Sequence, residues 1–376
     1  MNKLLIFSLD DYFLFTKKYY LFFDNLFRIK KENKKDILKE LGIGGSSYRN
    51  DKLKPIVKNN TKSLLIKYFE YEEVNINYKE KYEKCISKIY YTSYYKKVDE
   101  LESLLEELET YINHNNYLKP LFVLFKVFGI INFNKRLSSM KKELKSELEY
   151  LSLFNNDYFM DKYKLIYLSI LYYFNYKTDL VLLDNLSLKH KDINWIAYNI
   201  RASYNYVKEN DYEALIFYQK ALDNYKASIN IERTLITISN ISYIYNNLKK
   251  YDISYDLTSS IIGYVCSSRN EKWIKDLALH YLYSLFQLGN YKEIMEFYNL
   301  LIFDIKMLKS VSAIICILAS YYCNQYEKAE GIINEFKNDL NVKTICDYLD
   351  KKDSDILLNI ESTPYLYEIV QKINRK

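Results

Sequence analysis

Turn-forming residues are nearly missing from this chain: its 376 residues include seven Gly and three Pro, where average usage would be roughly 7% and 5%. Tight turns need residues that accept positive φ or carry a fixed one. A many-stranded sheet protein or a doubly wound α/β fold is therefore excluded, and the chain reads as all-α. Histidine is scarce too. His114, His190 and His280 stand far apart, and none has a metal-ligand partner at i+3 or i+4. The five cysteines, Cys85, Cys266, Cys316, Cys323 and Cys346, form no CxxC pair and are odd in number, as expected of small buried thiols in a reducing compartment. There is no GxxxxGK[ST] loop, no GxGxxG and no GxSxG elbow. Acidic runs such as "ELESLLEELE" read as solvated helix faces rather than catalytic carboxylate pairs. The expectation is a non-enzyme without cofactor or metal. No apolar run approaches the ~20 residues that span a bilayer. The opening "MNKLLIFSLDDYFLF" is broken by two aspartates and lacks a small-residue cleavage site. The expected location is the cytoplasm, with no membrane partner.

What is abundant is tyrosine, 42 residues of it, together with Lys, Asn and Ile. That mixture is the mark of an AT-rich genome, so aromatic stripes by themselves carry little functional weight. Charge is more informative. Residues 1–65 hold fourteen Lys or Arg against seven Asp or Glu, an excess of +7, while the whole chain carries +6. A basic end on a neutral body suggests a polyanion-binding module joined to a separate scaffold.

Four of the ten Gly and Pro residues fall inside that basic end, in "DILKELGIGGSSYRNDKLKP" from Asp36 to Pro55. Phe22, Leu26 and Ile29 repeat at helical spacing before "KENKK" breaks the period. Asp36 can cap a second helix with Ile37, Leu38 and Leu41 on its inner face. Gly42 stands where a helix ends in a left-handed residue, with Ile43 packing back beneath the turn. A third helix is expected from Ser46, with Tyr48 inward and Leu53 and Pro55 closing it, and a fourth over Thr61–Phe69. "LKELGIGGSSY" resembles the helix-turn-helix of bacterial repressors. It departs from that motif in placing Leu38 where a small residue is usual, Tyr48 where Val or Ile is usual, and Gly44-Gly45 in the turn. Residues 1–70 are thus expected to form a DNA-binding domain. Arg49 and Asn50 suit bidentate reading of base edges, Ser46 and Ser47 suit phosphate contacts at a helix N-terminus, and Lys52 shares their face.

The rest of the chain, 71–376, repeats. Five segments share an aromatic helix end, a polar turn containing Asn, a tyrosine and a second amphipathic helix: "YYFNYKTDL", "YVKENDYEAL", "YNNLKKYDIS", "FQLGNYKEI" and "YYCNQYEKAE". The turn tyrosines Tyr176, Tyr212, Tyr251, Tyr291 and Tyr326 are 36, 39, 40 and 35 residues apart. Two helices repeating at this period predict a right-handed helical solenoid. The segments resemble tetratricopeptide repeats: Tyr251 with Ser254 and Tyr326 with Ala329 keep the tyrosine-to-small-residue spacing, and "LGNY" before Lys292 matches the turn. Tyr218 and Ala221 take later packing positions, and the second unit has one residue fewer between Tyr212 and Ala214. Val74 to Leu153 hold further hairpins, with "VDELESLLEELETY" a clear amphipathic helix.

Stacked hairpins curve, and the first helix of each pair lines a concave groove suited to an extended peptide. Asn199, Arg201, Tyr204, Ser239, Tyr243, Asn246, Tyr283 and Gln287 fall on those first helices and can satisfy a peptide backbone or terminal carboxylate. Asn246 and Gln287 are expected at equivalent positions on an open groove wall. A short helix-turn-helix followed by a long repeat array resembles the RRNPP group of peptide-sensing regulators. The resemblance implies a cytoplasmic, homodimeric transcription factor, with double-stranded DNA and a short signalling peptide as partners. The peptide would alter dimer geometry and so the fit to half-sites roughly 34 Å apart or multiples of that. Two other readings stay open: a tetratricopeptide-type interaction scaffold, and a response-regulator-sequestering protein that does not touch DNA.

Overall fold

The computed structural model describes residues 6–9, 27, 33–46, 48, 64, 76–95, 100–112, 118–133, 141–154, 158–227, 230–301, 305–351 and 364–374. Among them every regular element is helical, as the shortage of turn residues requires. The chain falls into two units, Met1–Asn210 and Asp211–Lys376.

The first unit contains α1 (Lys34–Glu40), α2 (Ile76–Tyr95), α3 (Leu101–Ile112), α4 (Lys119–Phe133), α5 (Lys145–Ser152), α6 (Asp161–Tyr173), α7 (Leu180–Lys189) and α8 (Trp195–Val207). Helix α2 packs on α3 and α4, α4 on α5 and α6, and α6 on α7 and α8. Helix α6, "DKYKLIYLSILYY", is buried continuously from Tyr163 to Leu171, the state of a helix apolar nearly all round. Gly129 of α4 is one of the few glycines with a packing reason: a Cβ there would come within 2.9 Å of Leu101 Cδ1 on α3. The N-terminal residues are tied into this unit. Phe7 is fully buried, its ring 5.3 Å from Tyr90 and 5.2 Å from both Phe125 and Tyr163. The Leu9 amide donates to Glu83 (2.8 Å), the Tyr163 hydroxyl to the Ser8 carbonyl (3.0 Å) and the Lys162 ammonium to the Ile6 carbonyl (2.8 Å).

The second unit contains α9 (Asp211–Ala227), α10 (Ile231–Asn247), α11 (Tyr251–Ser267), α12 (Glu271–Leu288), α13 (Tyr291–Leu300), a 3-10 turn (Ile305–Met307), α14 (Ser310–Tyr322), α15 (Tyr326–Glu335), α16 (Leu340–Lys351) and α17 (Pro364–Asn374). Alternate helices stack, α10 on α12, α12 on α14 and α14 on α16, while α11, α13 and α15 pack beside them. Asparagine caps the N-termini of α10 and α12. The side chain of Asn230 accepts from the Arg233 amide at 3.0 Å and that of Asn270 from the Trp273 amide at 3.2 Å.

The hairpin turns share one solution. Asn175, Glu209, Lys249, Gly289 and Asn324 all have left-handed φ, between 57° and 80°, and follow one another at 34, 40, 40 and 35 residues. At each, the left-handed amide bonds a carbonyl three residues back and the next amide bonds one five back, as in Lys249 to Asn246 (3.0 Å) and Lys250 to Tyr245 (2.9 Å). This is the Schellman closure, which satisfies carbonyls that the helix end leaves unpaired. The chain makes it mostly without glycine, placing Asn, Glu and Lys where glycine is usual.

This geometry corrects the repeat register. Lys249, Gly289 and Asn324 stand two residues before Tyr251, Tyr291 and Tyr326, the first residues of α11, α13 and α15. Glu209 stands two before Asp211, so Asp211 rather than Tyr212 opens α9, and Tyr212 is 65% exposed. Asp211 then reaches Ala214 at the same +3 spacing as Tyr251 to Ser254, and both small residues are fully buried. Tyr176 also lies off this register: the turn runs on to Asp179, which caps α7.

Candidate functional site

At the basic end, α1 begins one turn before the expected cap. Asn33, not Asp36, is the N-cap, its side chain accepting from the Lys35 amide at 3.1 Å. Ile37 and Leu38 are buried, whereas Leu41 is only half-buried because it serves as the C-cap. Gly42 is left-handed at φ +68, Ile43 is buried beneath it, and the Ile43 amide bonds the Leu38 carbonyl at 2.7 Å. Tyr48 is 2% exposed, with the Lys34 ammonium 4.3 Å from its ring centroid. Ser46, Lys35 and Lys39 are exposed. Ser47, Arg49, Asn50 and Lys52 lie outside the described residues, as do Phe22, Leu26, Ile29 and all of Thr61–Phe69 except Leu64.

The eight residues assigned to a groove divide into three sets. In the first unit, Arg201 is engaged: its guanidinium holds the Asp184 carboxylate in a bidentate pair and donates to the Leu180 carbonyl at 3.3 Å. Asn199 donates to the Trp195 carbonyl of its own helix at 3.0 Å, and Tyr204 is half-buried.

In the second unit, Ser239, Tyr243, Asn246 and Tyr283 converge on α17, which the sequence reading did not foresee. Tyr365 is the centre of the contact. Its ring stacks on Tyr283 at 4.0 Å and lies 5.7 Å from Tyr243. Its hydroxyl meets the Asn246 amide at 3.2 Å and His280 Nδ1 at 2.9 Å, while His280 Nε2 meets the Ser239 hydroxyl at 3.0 Å. Asn246 also accepts from Ser284 at 2.9 Å. Burial holds the His280 imidazole down to about 3, with the positive charge of Lys309 adding to the effect. The ring is therefore neutral at physiological pH. Glu368, one helical turn on, accepts from the hydroxyls of Tyr283 and Tyr251, the latter at 3.3 Å. Burial first, and this carboxylate second, push the Tyr251 phenol up to about 12. Lys372, a further turn on, donates to the carbonyls of Phe286 and Gln287 at 2.7 and 2.8 Å. These lie at the C-terminus of α12, where the helix dipole favours a cation.

Asn246 and Gln287 are not at equivalent places: the left-handed turn residues set Asn246, three before Lys249, level with Phe286, three before Gly289, because α12 runs one residue closer to its turn. They do not form an open wall. Asn246 is 1% exposed and Gln287 half-buried. The third set is thus Gln287 alone, whose backbone carbonyl accepts from Lys372 and whose side chain hydrogen-bonds the Tyr283 hydroxyl. A signal for α17 existed in the sequence: Pro364 suits a first helical position, and Leu366, Ile369 and Ile373 follow at helical period, all buried. An open groove of about 1130 Å³ lies elsewhere in this unit, beside Tyr291, Lys292, Asn299 and Asn324, and none of the anticipated residues lines it.

No protein-family model, curated protein or solved structure matches this chain.

Proposed function

We propose that the chain is a DNA-binding transcriptional regulator of the cytoplasm, active as a homodimer, whose repeat unit takes up a short peptide that changes its DNA binding. The observation that carries this reading is the seat on α10 and α12. Amide, imidazole, hydroxyl and carbonyl groups from two stacked helices converge there on one short helix, chemistry suited to holding a polypeptide ligand. The DNA end is supported by the Gly42 closure over Ile43 and Tyr48 inside a segment of net charge +7. Arg49 and Asn50 are the base-reading candidates and Ser46, Ser47 and Lys52 the backbone ones.

The test is a mobility-shift titration on duplex DNA selected in vitro. Arg49→Ala or Asn50→Ala should weaken binding to the selected sequence by about 1–3 kcal/mol, the worth of a bidentate base contact. Unchanged affinity would sink the assignment. A scaffold without DNA binding is the second reading, and one observation favours it. The buried Phe7 and Leu9 tie the N-terminal residues to α2, α4 and α6 in the way a cap ties to an array. Retardation of duplex DNA that weakens with salt separates the two.

A further inference from the structure

We propose that α17 is a ligand held in cis: the α10–α12 seat is a binding site for an amphipathic helix bearing Tyr, Glu and Lys at positions i, i+3 and i+7. The chain's own Tyr365, Glu368 and Lys372 close that seat to other chains. This deepens the proposed function by naming the kind of peptide the repeat unit accepts and the device that gates it.

Three observations combine. First, α17 is seated on helices remote from it in sequence: side chains that hold it come from α10, α11 and α12, with α13 to α16 intervening. Second, the contact is polar in its specific part. A phenol, a carboxylate and an ammonium each meet a matched partner, and those partners (Asn246, His280, Tyr251, Tyr283 and the α12 carbonyls) can be satisfied by water once α17 leaves. Surfaces that part and rejoin are richer in such paired polar groups than permanent cores are. Third, the anchors obey helical spacing on one face, with Leu366 and Ile369, both fully buried, supplying the apolar stripe beside them. That is the pattern by which a groove reads a helix.

Tethering explains why the seat is filled. A segment joined to its own site has an effective concentration on the order of millimolar. A free peptide of similar intrinsic affinity therefore competes poorly, and its apparent affinity is reduced by the small fraction of chains with the seat open. Weakening the tethered helix should expose the site.

The experiment is a fluorescence-anisotropy titration with a labelled peptide of the sequence Pro364–Lys376, using the full chain and a full-chain variant Glu368→Ala/Lys372→Ala. Both substitutions lie on α17 and leave the seat unaltered. The variant should bind the labelled peptide at least tenfold more tightly than wild type. A peptide carrying the same two alanines should lose that binding. A variant with wild-type helical circular dichroism that binds no better than wild type overturns the proposal. Should the variant fail to fold, hydrogen exchange on the wild-type chain decides. Amides of α17 exchanging at least tenfold faster than those of α12 support a detachable helix, and equal protection shows that α17 is core and overturns it. DNA retardation measured on the same preparations reports on the regulator reading separately. Loss of that reading with peptide binding intact would leave a helix-binding module.

Discussion

At the scale of single residues, the left-handed turns carry a cost that can be measured. Side chains with a Cβ pay roughly 1–2 kcal/mol for this conformation, and glycine does not. Lys249 sits there at φ 59, with its backbone engaged and its side chain exposed. Lys249→Gly should stabilise the protein by about 1 kcal/mol, partly offset by the greater freedom of glycine in the unfolded chain, and raise its melting temperature by roughly 1 °C. Asn324→Gly should do less, since Asn tolerates the region better. His280 makes a different prediction. Its folded value of about 3 lies below the ordinary 6.5, so the unfolded chain binds a proton that the folded chain refuses. The stability tied to the neutral ring is complete above about pH 6.5 and is lost progressively as pH falls toward 3. The groups around it are Tyr365, Ser239 and Tyr243, with Lys309 and Asp276 nearby. The melting temperature of wild type minus that of His280→Gln should therefore shrink steadily between pH 7 and pH 4. A constant difference would show that His280 does not titrate on unfolding.

Among the elements, what was legible follows range in sequence. Hairpins were readable because the period of 3.6, the polar turns containing Asn and the turn tyrosines are local signals, each decided within about ten residues. Gly42, Ile43 and Tyr48 were readable for the same reason: one glycine in a glycine-poor chain marks a helix end. The register of Tyr212 was not, because the deciding feature is the backbone angle of Glu209, a residue with no compositional signal for positive φ. The seat of α17 was not legible either. Asn246 and Tyr365 are 119 residues apart, and nothing in either segment names the other. As a result, residues expected on an open wall are instead partners of a helix. Asn246→Ala removes a donor to Tyr365 and an acceptor for Ser284 inside a buried network, which should cost about 1–3 kcal/mol. Calorimetric melting should show the loss as a lowered transition. Retention of the full wild-type melting temperature would contradict the network.

For the whole molecule, the expected behaviour concerns charge and association. The basic excess is confined to one end, so duplex DNA binding should fall steeply with salt. Lys35→Ala and Lys39→Ala, both at exposed positions on α1, should each reduce the slope of log affinity against log salt by about 1 without altering sequence preference. Sedimentation should give about twice the 45.3 kDa of one chain; a monomer at all concentrations would remove the dimeric half of the proposal. The interchangeable turns have a consequence at the level of the gene. Glu209, Lys249 and Gly289 hold the same backbone state at intervals of 40 residues. A duplication or excision of 120 nucleotides (three per residue over that interval) therefore begins and ends in matching conformations. It would lengthen or shorten the array by one hairpin with every junction already solved. Lineages of this protein should differ by whole hairpins more readily than by fractions of one.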